Sequence, residues 1–174
     1  GWDGAPTGLG AGYAFGFESL PEQQGELRVT TNPAVASTVL IDGKARDQWG
    51  LTWLNLDPGT YDVCFTDVPG YVTPPCESAT VTQGQTTTVQ GDFTQMATLQ
   101  VVTSPALAST ITLQDLTNGG PGYPANKWGV YSRIAPNRNV RVCFGAVAGW
   151  NPPPCQDIPA SQLEPGEFKQ VTGT

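Results

Sequence analysis

The chain repeats itself, and that constrains its folding more than any other feature. Leu27 to Val39 recurs as Leu99 to Ile111 at an offset of 72. Trp49-Gly50-Leu51 then matches Trp128-Gly129-Val130 at an offset of 79. The same offset relates Val63-Cys64-Phe65 to Val142-Cys143-Phe144, and Pro74-Pro75-Cys76 to Pro153-Pro154-Cys155. Val89-Gln90-Gly91 matches Val171-Thr172-Gly173 at 82. A collinear match of this length marks a duplicated structural unit. The seven extra residues of the second copy fall around Gly119-Gly120-Pro121-Gly122, a loop composition. Three segments follow: an arm over 1–24, a first repeat over 25–93 and a second over 94–174.

Each copy reads as all-β. Leu27, Val29 and Thr31 alternate with other residues at the period of a half-buried strand. Val39 to Asp42 is a short apolar strand ending in Asp42-Gly43, a strong hairpin signal. Further strands are expected over Gln48 to Leu56, Thr60 to Thr66, Thr80 to Thr82 and Thr86 to Phe93. Asp57-Pro58-Gly59 and Gln83-Gly84 turn the chain between them. Short strands at this spacing, separated by Gly and Pro, indicate a small β-sandwich. Pro159 to Leu163 reads as one helical turn; no longer segment has helical periodicity.

The motifs Leu27-x-Val29-x-Thr31-x-Pro33, Ile41-Asp42-Gly43, Leu56-Asp57-Pro58-Gly59-Thr60-Tyr61, Gly70-Tyr71 and Val81-Thr82-Gln83-Gly84-Gln85 resemble PEGA-type domains. These are small prealbumin-like or immunoglobulin-like β-sandwiches found in tandem on bacterial and archaeal surface proteins. The resemblance covers most of the first repeat. The second departs from it: Asn137-Arg138-Asn139 replaces Pro58-Gly59-Thr60, and Gln114-Asp115 replaces the Asp-Gly turn. The resemblance implies a fold and an exterior setting, and it brings no catalytic residues.

Cys64 and Cys76, like Cys143 and Cys155, are separated by eleven residues at equivalent places of the two copies. Four cysteines allow three pairings, and the duplication selects one bridge inside each copy, 64–76 and 143–155. A unit of this size has a small core and benefits from such a staple. The rival, a zinc site ligated by all four cysteines, would show ligand pairs about two to four residues apart, and these are missing from the sequence. Disulfides place the protein in an oxidising exterior: secreted, on a cell surface or on a virion.

Composition excludes several functions. The 174 residues contain no His, which removes a Ser-His-Asp triad, a Cys-His pair and His-ligated zinc. The net charge of -7 disfavours nucleic acid. No run of about 20 apolar residues is present, so no membrane span is expected. The only Met is Met96, so the chain is expected to be a processed or excised product. Asp42, Asp47, Asp57, Asp62 and Asp67 offer carboxylates, yet each lies in or beside a turn, where Asp is common for local hydrogen bonding. They form no Asp-x-Asp-x-Asp calcium loop and no paired acid-base motif. The expectation is therefore no catalytic residue, no metal and no cofactor.

The aromatics carry the functional candidates. Trp49 corresponds to Trp128 and Tyr71 to Trp150, and aromatics kept in both copies are expected to pack a core or cover the disulfide. Trp53 aligns with Ser132 at the offset of 79, so the fold is not expected to require it. It reads either as an exposed anchor for a partner or sugar ring, or as packing at the seam between copies. Tyr123 and Tyr131 are the other candidate stacking platforms. The first repeat carries eight acids against three bases and the second four against five. This polarity fits head-to-tail contacts between copies, or simply surface drift.

Residues 1–24 are the oddity. Gly1 to Gly12 is too rich in Gly to hold its own shape, yet Tyr13, Phe15 and Phe17 alternate and Trp2 adds a fourth aromatic. A solvated linker is normally polar. Aromatics on one face of an extended segment suit β-strand addition to a partner's open edge. The other readings are the tail of an upstream domain, or disorder. The function expected from the whole is a non-enzymatic extracellular structural or attachment protein. It docks through its arm onto a larger assembly (a surface layer, a filament or a virion) and displays two stiff sandwiches. Its partner is a protein or its own copies. The alternative is a carbohydrate-binding adhesion module, with a glycan as partner.

Overall fold

A computed structural model describes residues 24–47, 52–119, 123–129 and 131–174. The arm candidates Trp2, Tyr13, Phe15 and Phe17 lie outside the described residues, as does Trp49. Among the described residues the fold is all-β, apart from a 3-10 turn at Ala160–Gln162, within the helical turn expected over Pro159 to Leu163.

The first half contains β1 (Gly25–Asn32), β2 (Val39–Ile41), β3 (Lys44–Asp47), β4 (Thr52–Leu56), β5 (Gly59–Phe65), β6 (Tyr71–Val72), β7 (Glu77–Val81) and β8 (Thr86–Asp92). These strands form a three-stranded sheet, β4-β1-β8, and a four-stranded sheet, β3-β2-β5-β7. After the short β9 (Thr94–Gln95) the second half follows the same plan. Its strands are β10 (Ala97–Thr103), β11 (Thr110–Asp115), β12 (Tyr123–Lys127), β13 (Tyr131–Ile134), β14 (Val140–Phe144), β15 (Gln156–Ile158) and β16 (Phe168–Gly173). The sheet orders β13-β10-β16 and β12-β11-β14-β15 copy those of the first half strand for strand. In each half the first and last strands pair in parallel, β1 with β8 and β10 with β16, which closes the unit.

Local chemistry explains the elements. On β10, Ala97, Leu99, Val101 and Thr103 are buried and their neighbours half-buried, the period of two expected of a strand with one face on a core. Asp42 and Gly43 both have positive φ, 49° and 74°, which fits the two-residue hairpin joining Ile41 to Lys44. The partner strand in that hairpin is β3, which the sequence did not announce. Lys44-Ala45-Arg46-Asp47 has no apolar alternation because it is a charged edge strand, protected from stray pairing by its charge. The strand expected from Gln48 is described only from Thr52.

Each half has its own core. The first gathers Leu27, Val29, Val39, Ile41, Val63, Phe65, Ala79, Val81, Val89 and Phe93. The second gathers Ala97, Leu99, Val101, Ile111, Leu113, Ile134, Val140, Val142, Phe144, Ile158, Leu163 and Val171. A disulfide joins Cys64 to Cys76 and another joins Cys143 to Cys155, each with Cα atoms 4.3 Å apart. Each bridge ties the strand that ends in the core Phe to the segment leading into its neighbour, β5 to β7 and β14 to β15.

Other repeated residues now have a physical cause. The buried Ser37 donates its hydroxyl to the Thr66 carbonyl at 2.8 Å, and Ser109 does the same to Gly145 at 2.8 Å. Thr31 Oγ1 accepts the Val35 N–H at 3.1 Å, and Thr103 Oγ1 accepts that of Leu107 at 2.8 Å. These bonds satisfy backbone groups in the connection between the two sheets and just past the ends of β5 and β14, outside the strands.

Candidate functional site

The outer face of each three-stranded sheet carries an exposed aromatic. Trp53, on β4, is 51% exposed, and the Arg28 guanidinium lies 4.5 Å from its ring centroid. Leu54 and Leu56, its neighbours of opposite parity, are directed to the core side. This is a cation–π pair on an open surface, with one ring face held by Arg28.

Strand register corrects the sequence alignment at this point. Trp53 pairs with Arg28 across β1 and β4, while Tyr131 pairs with Gln100 across β10 and β13. Arg28 and Gln100 are equivalent, so Trp53 corresponds to Tyr131 and not to Ser132. Ser132 corresponds to Leu54 and is buried. A one-residue slip between the matched tryptophans and the matched cysteines hides this equivalence in the sequence. Both units therefore place a large aromatic at the same outward position.

Around Tyr131 the surface widens. Tyr131 is 63% exposed and Phe168, on β16, is 54% exposed; their ring centroids are 6.1 Å apart at 43°. The two rings straddle β10 and form an aromatic strip beside Gln100 and Thr98. Phe168 escaped sequence reasoning because its counterpart is Thr86, a polar residue. Tyr123 lies on β12, the edge strand of the other sheet of its half. The three candidate platforms Trp53, Tyr123 and Tyr131 are thus carried by strands of three different sheets.

The retained aromatics behave differently in the two halves. Tyr71 packs against the first core, edge-on to Phe93 with centroids 6.4 Å apart. Trp150, its counterpart, is 53% exposed, so of the two expected placements it does not take the one in a core. Trp128 is half-buried, and its indole Nε1 is enclosed without a hydrogen-bond acceptor.

The joint between the halves is sewn by backbone. β9 pairs antiparallel with β6, placing Tyr71 opposite Gln95 and Val72 opposite Thr94. Met96 N–H donates to the Gly70 carbonyl at 2.8 Å. The Arg133 guanidinium of the second half occupies the space where a β-carbon on Gly70 would project.

Charge is sparse and peripheral. Arg141 and Asp157 face each other across β14 and β15 with bonds of 2.7 and 2.8 Å. The hydrogen bonds from Arg141 hold the Asp157 carboxyl below the usual carboxylate range. Among the described residues no three His, Cys, Asp or Glu side chains gather into a group able to hold a metal. No described helix is long and apolar enough to cross a membrane.

No family model matches the sequence. No curated protein matches it either. Among solved structures, a C-terminal fragment of the pilus adhesin SpaC from Lactobacillus rhamnosus GG aligns at 13% identity with a TM-score of 0.41, covering 87% of this chain and 96% of that one. The TIE protein of Bacillus anthracis aligns at 14% identity with a TM-score of 0.40, covering 86% of this chain and 33% of that one. A variant of the shaft pilin SpaA from Lactobacillus rhamnosus GG aligns at 9% identity with a TM-score of 0.35, covering 86% of this chain and 98% of that one. The chain thus spans about a third of the TIE protein's length.

Proposed function

We propose that this chain is a non-enzymatic extracellular building block. It consists of two disulfide-stapled sandwich domains, 25–93 and 94–174, preceded by a docking arm over 1–24. The observation that carries this reading is the strand-for-strand copying of one unit with its own bridge in each copy. Two internal bridges fit an oxidising exterior. Repetition of a closed sandwich supplies length and surface, and it supplies no constellation of nucleophile, base and oxyanion donors. The sewn β6–β9 joint favours a stiff spacer over two beads on a flexible string. Within the sandwich class, the PEGA-type assignment rests on the motifs of the first unit.

The arm fixes this spacer to its assembly, whether cell-borne or viral, with aromatic side chains filling partner pockets and its backbone extending a sheet. Deleting residues 1–24 should abolish incorporation into the native assembly while leaving the β-sheet circular dichroism spectrum intact. Normal incorporation of the deleted chain would remove the docking role.

A second reading is favoured by one observation, the matched outward aromatics Trp53 and Tyr131. Exposed rings on a rigid sheet suit stacking against the apolar face of a sugar. Retardation in a polysaccharide affinity gel that vanishes in Trp53→Ala or Tyr131→Ala would establish the glycan reading. Unretarded migration across a broad glycan panel would remove it.

A further inference from the structure

The outer faces of the two three-stranded sheets carry different chemistry, although the strands beneath them are copies. On β10, β13 and β16 the outward side chains form rows across the sheet. One row runs Tyr131, Gln100, Gln170, and the next runs Arg133, Thr98, Phe168. Tyr131, Arg133, Phe168 and Gln170 are exposed, while Ser132, Ile134 and Val171 beside them along the strands are buried. Gln100 is held in place by its Nε2, which donates to the Gly129 carbonyl at 3.2 Å. The face thus presents two neighbouring rings, two amides, one hydroxyl and one guanidinium on a rigid sheet.

In the first unit the register places Glu26 where Thr98 stands, Arg28 for Gln100, Asn55 for Arg133 and Thr86 for Phe168. There the Glu26 carboxylate accepts the Thr86 hydroxyl at 2.8 Å. The Arg28 guanidinium covers one face of the Trp53 ring. That face balances one acid against one base, and its ring already has a cationic partner. The second unit's face differs on both counts. Its two rings lean on each other, and the charge in its two rows is Arg133 alone. Among the described residues no carboxylate forms an ion pair with Arg133. Its guanidinium lies against Gly70 of the first half, which holds the cation at the joint.

Size and chemistry select the occupant. At their fractional exposures the two rings together offer roughly 200 Å², whereas a stable protein contact covers about 800 Å² on each partner. The apolar surface does not extend: the following row, Val102 with Thr172, adds one half-buried aliphatic side chain. A patch of this size fits a small ligand. Rings stack on the apolar C–H face of a pyranose, amides and a hydroxyl bond its hydroxyl groups, and a guanidinium fork receives a carboxylate through two parallel bonds. Building on the glycan reading of the exposed aromatics, we infer that the outer face of the second unit's three-stranded sheet binds an acidic saccharide. Tyr131 and Phe168 form the platform, and Arg133 pairs with a uronic carboxylate. Trp53, on the first unit, stands outside this site.

The test uses the full chain and end-labelled hexasaccharides, followed by fluorescence anisotropy. The acidic probes are hexamers of galacturonate, mannuronate and hyaluronan. The neutral probes are the methyl-esterified galacturonate hexamer, cellohexaose and chitohexaose. At least one acidic hexamer is expected to bind, less tightly as salt is raised, with the neutral ones about tenfold weaker or more. Tyr131→Ala and Phe168→Ala should each weaken binding about tenfold, the scale of a central contact residue, and Tyr131→Phe should retain it. Arg133→Gln should bring the acidic hexamer down to the level of the neutral ones and remove the salt dependence, while Trp53→Ala changes nothing. All four substituted side chains are exposed, and unchanged amide dispersion shows that each variant folds. Binding that survives Tyr131→Ala and Phe168→Ala but is lost in Trp53→Ala overturns the second unit's face as the site and leaves the glycan reading standing. Equal binding of acidic and neutral hexamers through the two rings overturns the acidic ligand and the role of Arg133. Binding of none of the hexamers removes this site and the glycan reading together.

Discussion

The ring of Phe65 occupies the space that a β-carbon on Gly91 would need, with its Cζ 2.5 Å from that position. The same relation holds in the other unit between Phe144 and Gly173, at 2.7 Å. Gly at the end of the last strand is therefore a packing requirement of the core Phe, and this explains its repetition. Neither glycine has an unusual φ, so the effect is steric and not conformational. Gly91→Ala should destabilise the first unit by about 1–3 kcal/mol, the usual range for overpacking. Urea unfolding that resolves the two units would check this. The companion variant Phe65→Leu, by removing the ring, should recover part of the loss.

The bridges close loops with a sequence separation of 12 between their cysteines. In the chain-entropy picture each restricts its unfolded unit by about 3 kcal/mol. Replacing Cys64 and Cys76 together by Ala should therefore lower the Tm of the first unit and leave the second almost unchanged. A reducing agent should lower both. Calorimetry on the intact chain separates the two transitions. A single transition that shifts as a whole in the double variant would show instead that the β6–β9 joint couples the units into one cooperative block.

Ser37 is fully buried, and its hydroxyl is the partner of the Thr66 carbonyl. Ser37→Ala leaves that carbonyl without this donor in a dry site, an effect of about 1–3 kcal/mol. Ser109→Ala should act on the second unit in the same way, through Gly145. Equal losses from two variants 72 positions apart would confirm that the repeated Ser belongs to the scaffold. Thermal melts of the single variants are sufficient.

Much of this scaffold was legible because period-two burial on β1 and β10 is written directly in the order of apolar residues. The Asp42-Gly43 hairpin was legible because few residues accept two successive positive φ values. What escaped depends on partners distant in the chain. Lys44 to Asp47 is a strand only because β2 offers it an edge. β6 and β9 are two residues each and exist only as a pair. Trp150 resembles Tyr71 in sequence, but the burial of Tyr71 depends on Phe93, which comes after the unit's last strand. The equivalence of Trp53 and Tyr131 was hidden because offset matching cannot see a slip that is later restored, whereas strand register can.

The Arg141–Asp157 pair gives a pH signature confined to the second unit. Asp62 and Ser78 stand at the equivalent positions of the first, where no such pair forms. Hydrogen bonding from Arg141 lowers the Asp157 pKa in the folded state, and the nearby positive charge adds to this. A carboxyl whose folded pKa lies below its unfolded value contributes stability above the unfolded value, about 3.9. That contribution is lost as pH falls through the folded value. Acid should therefore weaken the second unit in a window below about pH 4, and Asp157→Asn should remove this component of the acid response. Both side chains are solvent-exposed, so added salt should shrink the effect. In a carboxyl-detected NMR titration, Asp157 should protonate below the ordinary carboxylate range, and Arg141→Gln should return it to that range. An Asp157 resonance that titrates in the ordinary range in the unaltered chain would show that the pair does not persist in solution.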